Sequence, residues 1–399
     1  MWILWVGVLL CGSSYTMSIP FLPLFLVDLG VGEQSVHLWA GVVHSSAFFV
    51  GAIMAPLWGA IADRYGKRKM VIRAGFSLAV TYALFAVVRS PWELVAARLV
   101  HGFAGGFIPA AMSIVASVSP KERMSWSLGV MQSATMTGGI LGPLFGGALA
   151  EWFGFRMSFV VAAAVIFLAA LAVVAWVKED SASPAEAPAK PVRLMTALSN
   201  KPLLFLLMLL VVFQASYNMI QPLMTLHIAD LQGGMEDAAL SSGIVFALIG
   251  IAGIVGSPLW GNVGAKRGLL RTLILCLLAA GGFMSLQLFV QQLWLFAAVQ
   301  FAFGLFMAGV VPMVNTLVVQ NTPDVFRGRS LGLTASANQL GSMIGPLIGG
   351  FVGMALNVHW TFFLAGLMML ALGGAVWNRS AWLSRGSAKE RASGRSVPG

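Results

Sequence analysis

Charged side chains make up only 10% of this 399-residue sequence, and their scarcity excludes most soluble classes at once. With 58% hydrophobic residues and a mean hydropathy of +0.87, there is too little polar surface to coat a water-soluble globule. Cysteine is almost absent. Cys11 and Cys276 both fall within apolar runs, which leaves no disulfide framework and no cysteine metal cluster. Acidic residues avoid the apolar runs too: Asp28, Glu93, Asp230, Glu236 and Asp237 sit at their ends or in loops, and none lies at mid-depth. There is no glycine-rich phosphate loop, no metal-ligand spacing and no nucleophile with a plausible base. Ser45 and His44 could be drawn as a pair, but sequence neighbours point to different helical faces. Neither an enzyme nor a cofactor is expected. A charged leader is missing as well, with no cleavage site after the first apolar run, so the first 26 residues read as a span rather than a signal peptide.

What the chain has instead is twelve apolar stretches of spanning length. A hydrocarbon core about 30 Å thick takes roughly 20 helical residues. Windows of that kind fall near 2–26, 38–60, 71–88, 92–117, 125–150 and 157–177, then near 203–229, 240–263, 271–290, 293–320, 329–355 and 360–382. The two sets repeat. Gly142-Pro143-Leu144 recurs at Gly345-Pro346-Leu347 and Ser127-Leu128-Gly129 at Ser330-Leu331-Gly332, an offset of 203 that also pairs Pro109 with Pro312. Nearer the start of each half the offset is 202, pairing Pro56-Leu57-Trp58-Gly59 with Pro258-Leu259-Trp260-Gly261 and Pro20 with Pro222. Matched prolines and glycines mark matched kinks and close helix contacts. Two parallel halves with a site between them are a transporter architecture.

The fold class is therefore an all-α membrane protein of twelve transmembrane helices in two pseudo-symmetric six-helix bundles. The divisions are an N-terminal bundle at 1–177, a linker at 178–201 rich in Pro, Ala and Ser, a C-terminal bundle at 202–383 and a disordered Arg/Ser/Gly-rich tail at 384–399. The net charge of +10 is explained by topology rather than by nucleic acid. With both termini cytoplasmic, 21 of the 24 Lys and Arg fall on the inner side, only Arg89 and Arg156 fall outside, and Arg98 lies within a span. Trp2, Trp39, Trp92, Trp152, Trp294 and Trp360 mark span ends, as an aromatic belt does.

Three motifs carry mechanism. Between spans two and three, Gly59, Asp63, Arg64, Gly66, Lys67 and Arg68 place one carboxylate among cations in a tight inner loop. Its counterpart in the second half has Gly264 where the carboxylate would stand, so only the first half can supply a latch of this kind. In span five, Gly138, Gly142 and Gly146 recur every four residues on one helical face, joined by Pro143 and Gly147, and predict close helix contact. Arg98 is a buried-depth cation, costly enough in lipid to make a functional site the default, and His101 shares its face.

The first motif meets every defined position of the signature loop of the major facilitator superfamily, and the whole chain resembles that superfamily's drug:proton antiporter group. Pro20-Phe21-Leu22-Pro23-Leu24, the Gly102 to Pro109 stretch and the paired Gly-Pro motifs add to the likeness. The resemblance implies that Asp63 latches the two halves by pairing with the N-terminal end of span eleven, that the span-five motif is the antiporter motif, and that Arg98 belongs to a third family motif, where His101 departs from the usual Gln. It implies proton-driven export of small amphipathic compounds across a bacterial inner membrane by rocking of the halves. The expected partners are a small-molecule substrate, protons and membrane lipid, with no nucleic acid, around a monomer.

Coupling needs a titratable group in the pathway, and Asp28, His44, Arg98 and His101 are the candidates, all in the outer half of spans one, two and four. For the substrate, Gln214, Tyr217, Asn218 and Gln221 form a polar stripe on span seven, with Gln132, Asn315, Asn338 and Gln339 as further uncharged groups. The 21 methionines offer a pliable apolar lining. An exporter or importer of one specific metabolite, a sugar or siderophore, is the alternative within the same superfamily; a receptor or scaffold gives no reason for duplicated kinks and a polar central stripe.

Overall fold

The computed structural model describes residues 1–120, 123–177, 200–322 and 327–393, and the described residues contain helices and no strand. A backbone in hydrocarbon must satisfy its polar groups within each segment, and helices do so. The first half comprises α1 (Trp2–Met17) with α2 (Leu22–Asp28), α3 (Glu33–Tyr65), α4 (Lys67–Val87), α5 (Pro91–Ala104) with α6 (Phe107–Val118), α7 (Met124–Phe153) and α8 (Phe155–Trp176). The second half repeats the order: α9 (Lys201–Asn218) with α10 (Met224–Gln232), α11 (Ala238–Arg267), α12 (Leu269–Leu286), α13 (Leu293–Met307) with α14 (Val310–Gln320), α15 (Arg327–Ala355) and α16 (Val358–Ser393).

The matched prolines account for the breaks. Pro20 and Pro222 fall in the gaps α1/α2 and α9/α10, and the first pair meets at 48°. Pro109 and Pro312 each occupy the third position of a half-helix, where a missing N–H costs little but the previous turn cannot continue through. By contrast α7 and α15 run unbroken through Pro143 and Pro346. Among the described residues nine spans are long and apolar enough to cross a membrane, or ten with the bent first span. The helices α7 and α15 complete the set by length, 30 and 29 residues, while their glycines, serines and threonines dilute the hydropathy.

Packing follows the repeat. Within the halves α1 packs on α7 and α4 on α8, as α9 does on α15 and α12 on α16. Between the halves α3 meets α15 and α7 meets α11. The tight contacts between halves lie at the end away from the chain termini. A Cβ on Gly41 would overlap the Pro346 carbonyl oxygen, one on Gly147 would overlap that of Ala239, and one on Gly350 would stand 2.6 Å from that of His37. Further along α3 the contact loosens: the Gln339 amide of α15 stands in van der Waals contact, 3.6 Å from a Cβ built on Gly51, and nothing lies within 4 Å of one built on Gly59.

The linker at 178–199 and residues 394–399 of the tail lie outside the described residues. Cys11 and Cys276 are buried and free. Trp2, Trp92, Trp152 and Trp294 are exposed at helix ends, whereas Trp39 turns its ring edge onto Trp92, with centroids 4.7 Å apart.

Candidate substrate and coupling site

Two cavities sit where the halves face each other. The first, about 450 Å³, is shared by both bundles and lined by Thr16, Met136, Ile140 and Pro143 from the first half and by Tyr217, Gln221, Phe246, Gly250, Met307 and Pro312 from the second. The second, about 440 Å³, lies mainly in the first half among Tyr15, Phe48, Trp58, Arg73, His101 and Ser113, with Gln339 reaching in from α15. Among the described residues no carboxylate lines either one.

The polar stripe of span seven divides between two tasks. Gln221 donates to the Tyr217 hydroxyl at 3.0 Å, and this pair faces the shared cavity. Asn218, one residue on, is 4% exposed and donates to the Gln214 carbonyl at 2.8 Å and to Ser342 Oγ on α15 at 3.2 Å, so it joins helices instead. Gln214 is pinned against α15 as well, because a Cβ on Gly341 would lie 2.6 Å from its own Cβ. Gln132 is exposed on α7, while Asn315 and Asn338 are half-buried with Oδ1 lacking a partner. Of the methionines, Met136 and Met307 line the shared cavity, and Met131 and Met219 are fully buried packing.

Arg98 is 6% exposed and His101 2%, on adjacent turns of α5. The Arg98 guanidinium donates to Ser18 Oγ at 3.1 Å, inside the α1/α2 break, and lies 5.1 Å from the Phe85 ring. From α4 the Tyr82 hydroxyl donates to the Ser14 carbonyl on α1. The His101 ring sits 5.3 Å from Tyr15, 5.5 Å from Tyr82 and 5.8 Å from Phe85, and neither of its nitrogens has a partner. His44, 7% exposed, packs its ring 5.4 Å from that of Phe48 on its own helix. Asp28 stands apart, exposed at the end of α2. Arg98 and His101 are therefore together, and Tyr15 and Tyr82 complete the group. Their signal in the sequence is rarity: of four tyrosines, three lie within spans.

Arg73 and Trp58 are cavity-wall residues that motif reasoning missed. Arg73 donates to the carbonyls of Gly105 at 2.7 Å and Phe103 at 3.4 Å, capping the end of α5, and its guanidinium lies 3.6 Å from the Trp58 ring centre. Trp58 Nε1 donates to the same Phe103 carbonyl at 2.9 Å. Gly106, with φ of 106°, makes the turn into α6. In the second half Trp260 donates to Leu305 at 2.8 Å, the equivalent carbonyl, while Cys276 occupies the place of Arg73. The signal was the Trp58/Trp260 match.

The loop after α3 is a one-residue turn at Gly66, φ of 101°. Lys67 donates to the Ser113 carbonyl of α6 at 3.4 Å and Arg68 to that of Val174 at 2.7 Å, in the last turn of α8, where a cation suits the helix dipole. Arg64 is exposed beside Tyr65. Asp63 occupies the last turn of α3, but its side chain lies outside the described residues, as do those at the start of α15.

In span five Gly138, Gly142 and Gly146 bring α7 onto the backbone of α1: Cβ atoms there would crowd Leu9, Ser13 and Met17, one helical turn apart. Gly341, Gly345 and Gly349 do the same against Val211, Ala215 and Met219 of α9. The motif thus has one packing task, carried out twice.

Comparison with known proteins decides the family, since the family model of the Major Facilitator Superfamily matches residues 4–286 and 238–396. The chain belongs to the major facilitator superfamily. Among curated members, the multidrug resistance protein MdtG of Proteus mirabilis (strain HI4320) is 30% identical over 366 residues, 91% of each chain. The MdtG of Enterobacter lignolyticus (strain SCF1) is 31% identical, covering 92% of this chain and 89% of its own. Solved major facilitators share the fold: the nucleoside transporter NupG at a TM-score of 0.79 and 13% identity, covering 94% of this chain and 98% of its own, and a bacterial homologue of the human lysosomal transporter Spinster, inward-facing and occupied, at 0.75 and 17%, covering 97% and 96%. A multi-pass membrane transporter, not an enzyme, follows from family membership.

Proposed function

We propose that this facilitator exports small amphipathic compounds in exchange for protons, by alternating access, across a bacterial inner membrane with both termini in the cytoplasm. The observation that carries the reading is the central cavity: it is bounded by both halves, which press together at the end away from the termini. A site between two pseudo-symmetric halves is what an alternating carrier needs. The relatives named for multidrug resistance, and a lining of methionine, phenylalanine and one tyrosine–glutamine pair, support varied ligands bound by apolar contact. Because among the described residues no carboxylate lines either cavity, uncharged or acidic amphipaths fit that lining better than cations, which would be desolvated without a counter-ion.

Coupling is assigned to the group around Arg98, with His101 and His44 as the titrating side chains. A proton gained or lost on either imidazole changes the charge in the group around Arg98, and rearrangement or release of ligand is proposed to accompany it. Asp63 is proposed to act as the latch of the opposite state, in which the near ends of the halves close. The span-five glycines are assigned to the antiporter motif, as the packed hinge of that movement.

The test is efflux from cells carrying the chain or its Asp63→Asn and His44→Ala/His101→Ala variants, with and without an ionophore that collapses the proton gradient. Export that persists at full rate after collapse would remove proton coupling, and undiminished coupling in the double histidine variant would remove the imidazoles.

A further inference from the structure

On the lipid-facing side of the second half, a groove of about 580 Å³ is lined by Lys201, Leu204, Phe205, Met208 and Arg379. The first four recur at helical spacing on one face of α9, and Arg379 reaches the groove from α16. The Arg379 guanidinium lies 4.8 Å from the Phe205 ring centre, so the two cations converge on one place from different helices, and among the described residues no carboxylate lines it. Like charges repel unless an anion sits between them. The floor below them is apolar and open, with Met208 54% and Leu204 38% exposed.

Both cations stand at span ends on the terminus side: Lys201 opens span seven, and Arg379 comes 21 residues after the start of α16 at Val358. Roughly 20 residues cross the hydrocarbon core, which puts Arg379 at the level of the headgroups. At the repeat offsets the first half has Ile3 and Trp176 where Phe205 and Arg379 stand, so the arrangement is not inherited from the duplicated fold.

We propose that this groove binds one anionic phospholipid of the adjacent leaflet, its phosphate held between Lys201 and Arg379 and an acyl chain lying on Leu204, Phe205 and Met208. Basic pockets between spans at headgroup depth suit this chemistry. The apolar floor selects a lipid over free phosphate, and the cation pair selects an anionic lipid over a zwitterionic one. By bridging α9 to α16 the lipid would clamp the first and last spans of the second half.

The full-length protein, delipidated in detergent, is titrated with phosphatidylglycerol, phosphatidylcholine or inorganic phosphate while thermal unfolding is followed. Phosphatidylglycerol alone should raise the midpoint, because only a ligand of the folded state stabilises it. K201Q/R379Q should bind it about thirtyfold more weakly, the factor two headgroup-level cations are worth together. The same charge change elsewhere, K266Q/R271Q, should leave binding intact. Equal stabilisation by phosphatidylcholine or phosphate, or an equal loss in K266Q/R271Q, would overturn the site. A second reading keeps both cations: a fluorophore on Met208→Cys, in a chain with Cys11 and Cys276 changed to Ala, should shift with phosphatidylglycerol and not with phosphatidylcholine. Absence of that shift also overturns it.

Discussion

The guanidinium of Arg73 lies over Trp58, 3.6 Å from its ring centre, and both side chains donate to the Phe103 carbonyl at the break of the fourth span. A cation on an aromatic face and a charged hydrogen bond to an orphaned helix carbonyl act together here. Arg73→Ala is expected to cost about 2 kcal/mol, the usual worth of hydrogen bonds to a charged group. Arg73→Lys should recover little, since a lysine cannot reach two carbonyls and stack at once. Thermal unfolding of the purified variants measures both, with Cys276→Ala as the comparison in the other half.

Replacing Gly146 by Ala should destabilise the protein by about 1–3 kcal/mol, because overpacking pushes α7 off the Met17 backbone. Gly349→Ala should match it, since Met219 takes the place of Met17. Gly139, which faces open space and lines the shared cavity, should tolerate Ala without loss of melting temperature.

Tyr217→Phe and Gln221→Ala should change which compounds are exported while leaving stability within about 0.5 kcal/mol, as these side chains bond each other at a cavity wall. Asn218→Ala should do the reverse, losing about 1–2 kcal/mol through the stranded Ser342 contact with little change in substrate range. Susceptibility panels read beside melting curves separate the two outcomes.

Locking the far ends together should stop flux. A Cβ on Gly353 would lie 3.4 Å from that of His37, close to the separation a disulfide spans. In a chain with Cys11 and Cys276 changed to Ala, oxidised His37→Cys/Gly353→Cys is expected to bind ligand and not transport it, with transport restored by reductant. Full turnover of the crosslinked form would count against rocking halves.

Much of the fold is legible in the sequence because the bilayer imposes length and the duplication marks its own kinks: Pro20, Pro109, Pro222 and Pro312 all fall in or beside breaks. Periodicity served the site less well. Tyr217 and Asn218 differ by 100° around α9, enough to turn one toward the cavity and the other toward α15. Asp28 was grouped with Arg98 by depth along its span, yet Ser18 in the α1/α2 break is what Arg98 reaches, and Asp28 lies at the far end of α2. Arg73 reads as one more inner cation until its tertiary partners are seen, since a side chain that turns back to cap a neighbouring helix leaves no mark in its own segment.

The seam between the halves is self-complementary. Gly41 presses on Pro346, and Gly243, its equivalent, presses on Pro143; Gly350 meets His37 as Gly147 meets Ala239. Such an isologous surface closes on a second copy of itself with no face left over. The two halves thus meet about a near-twofold axis through contacts that do not involve the joining peptide, so two half-length polypeptides should co-purify when expressed together.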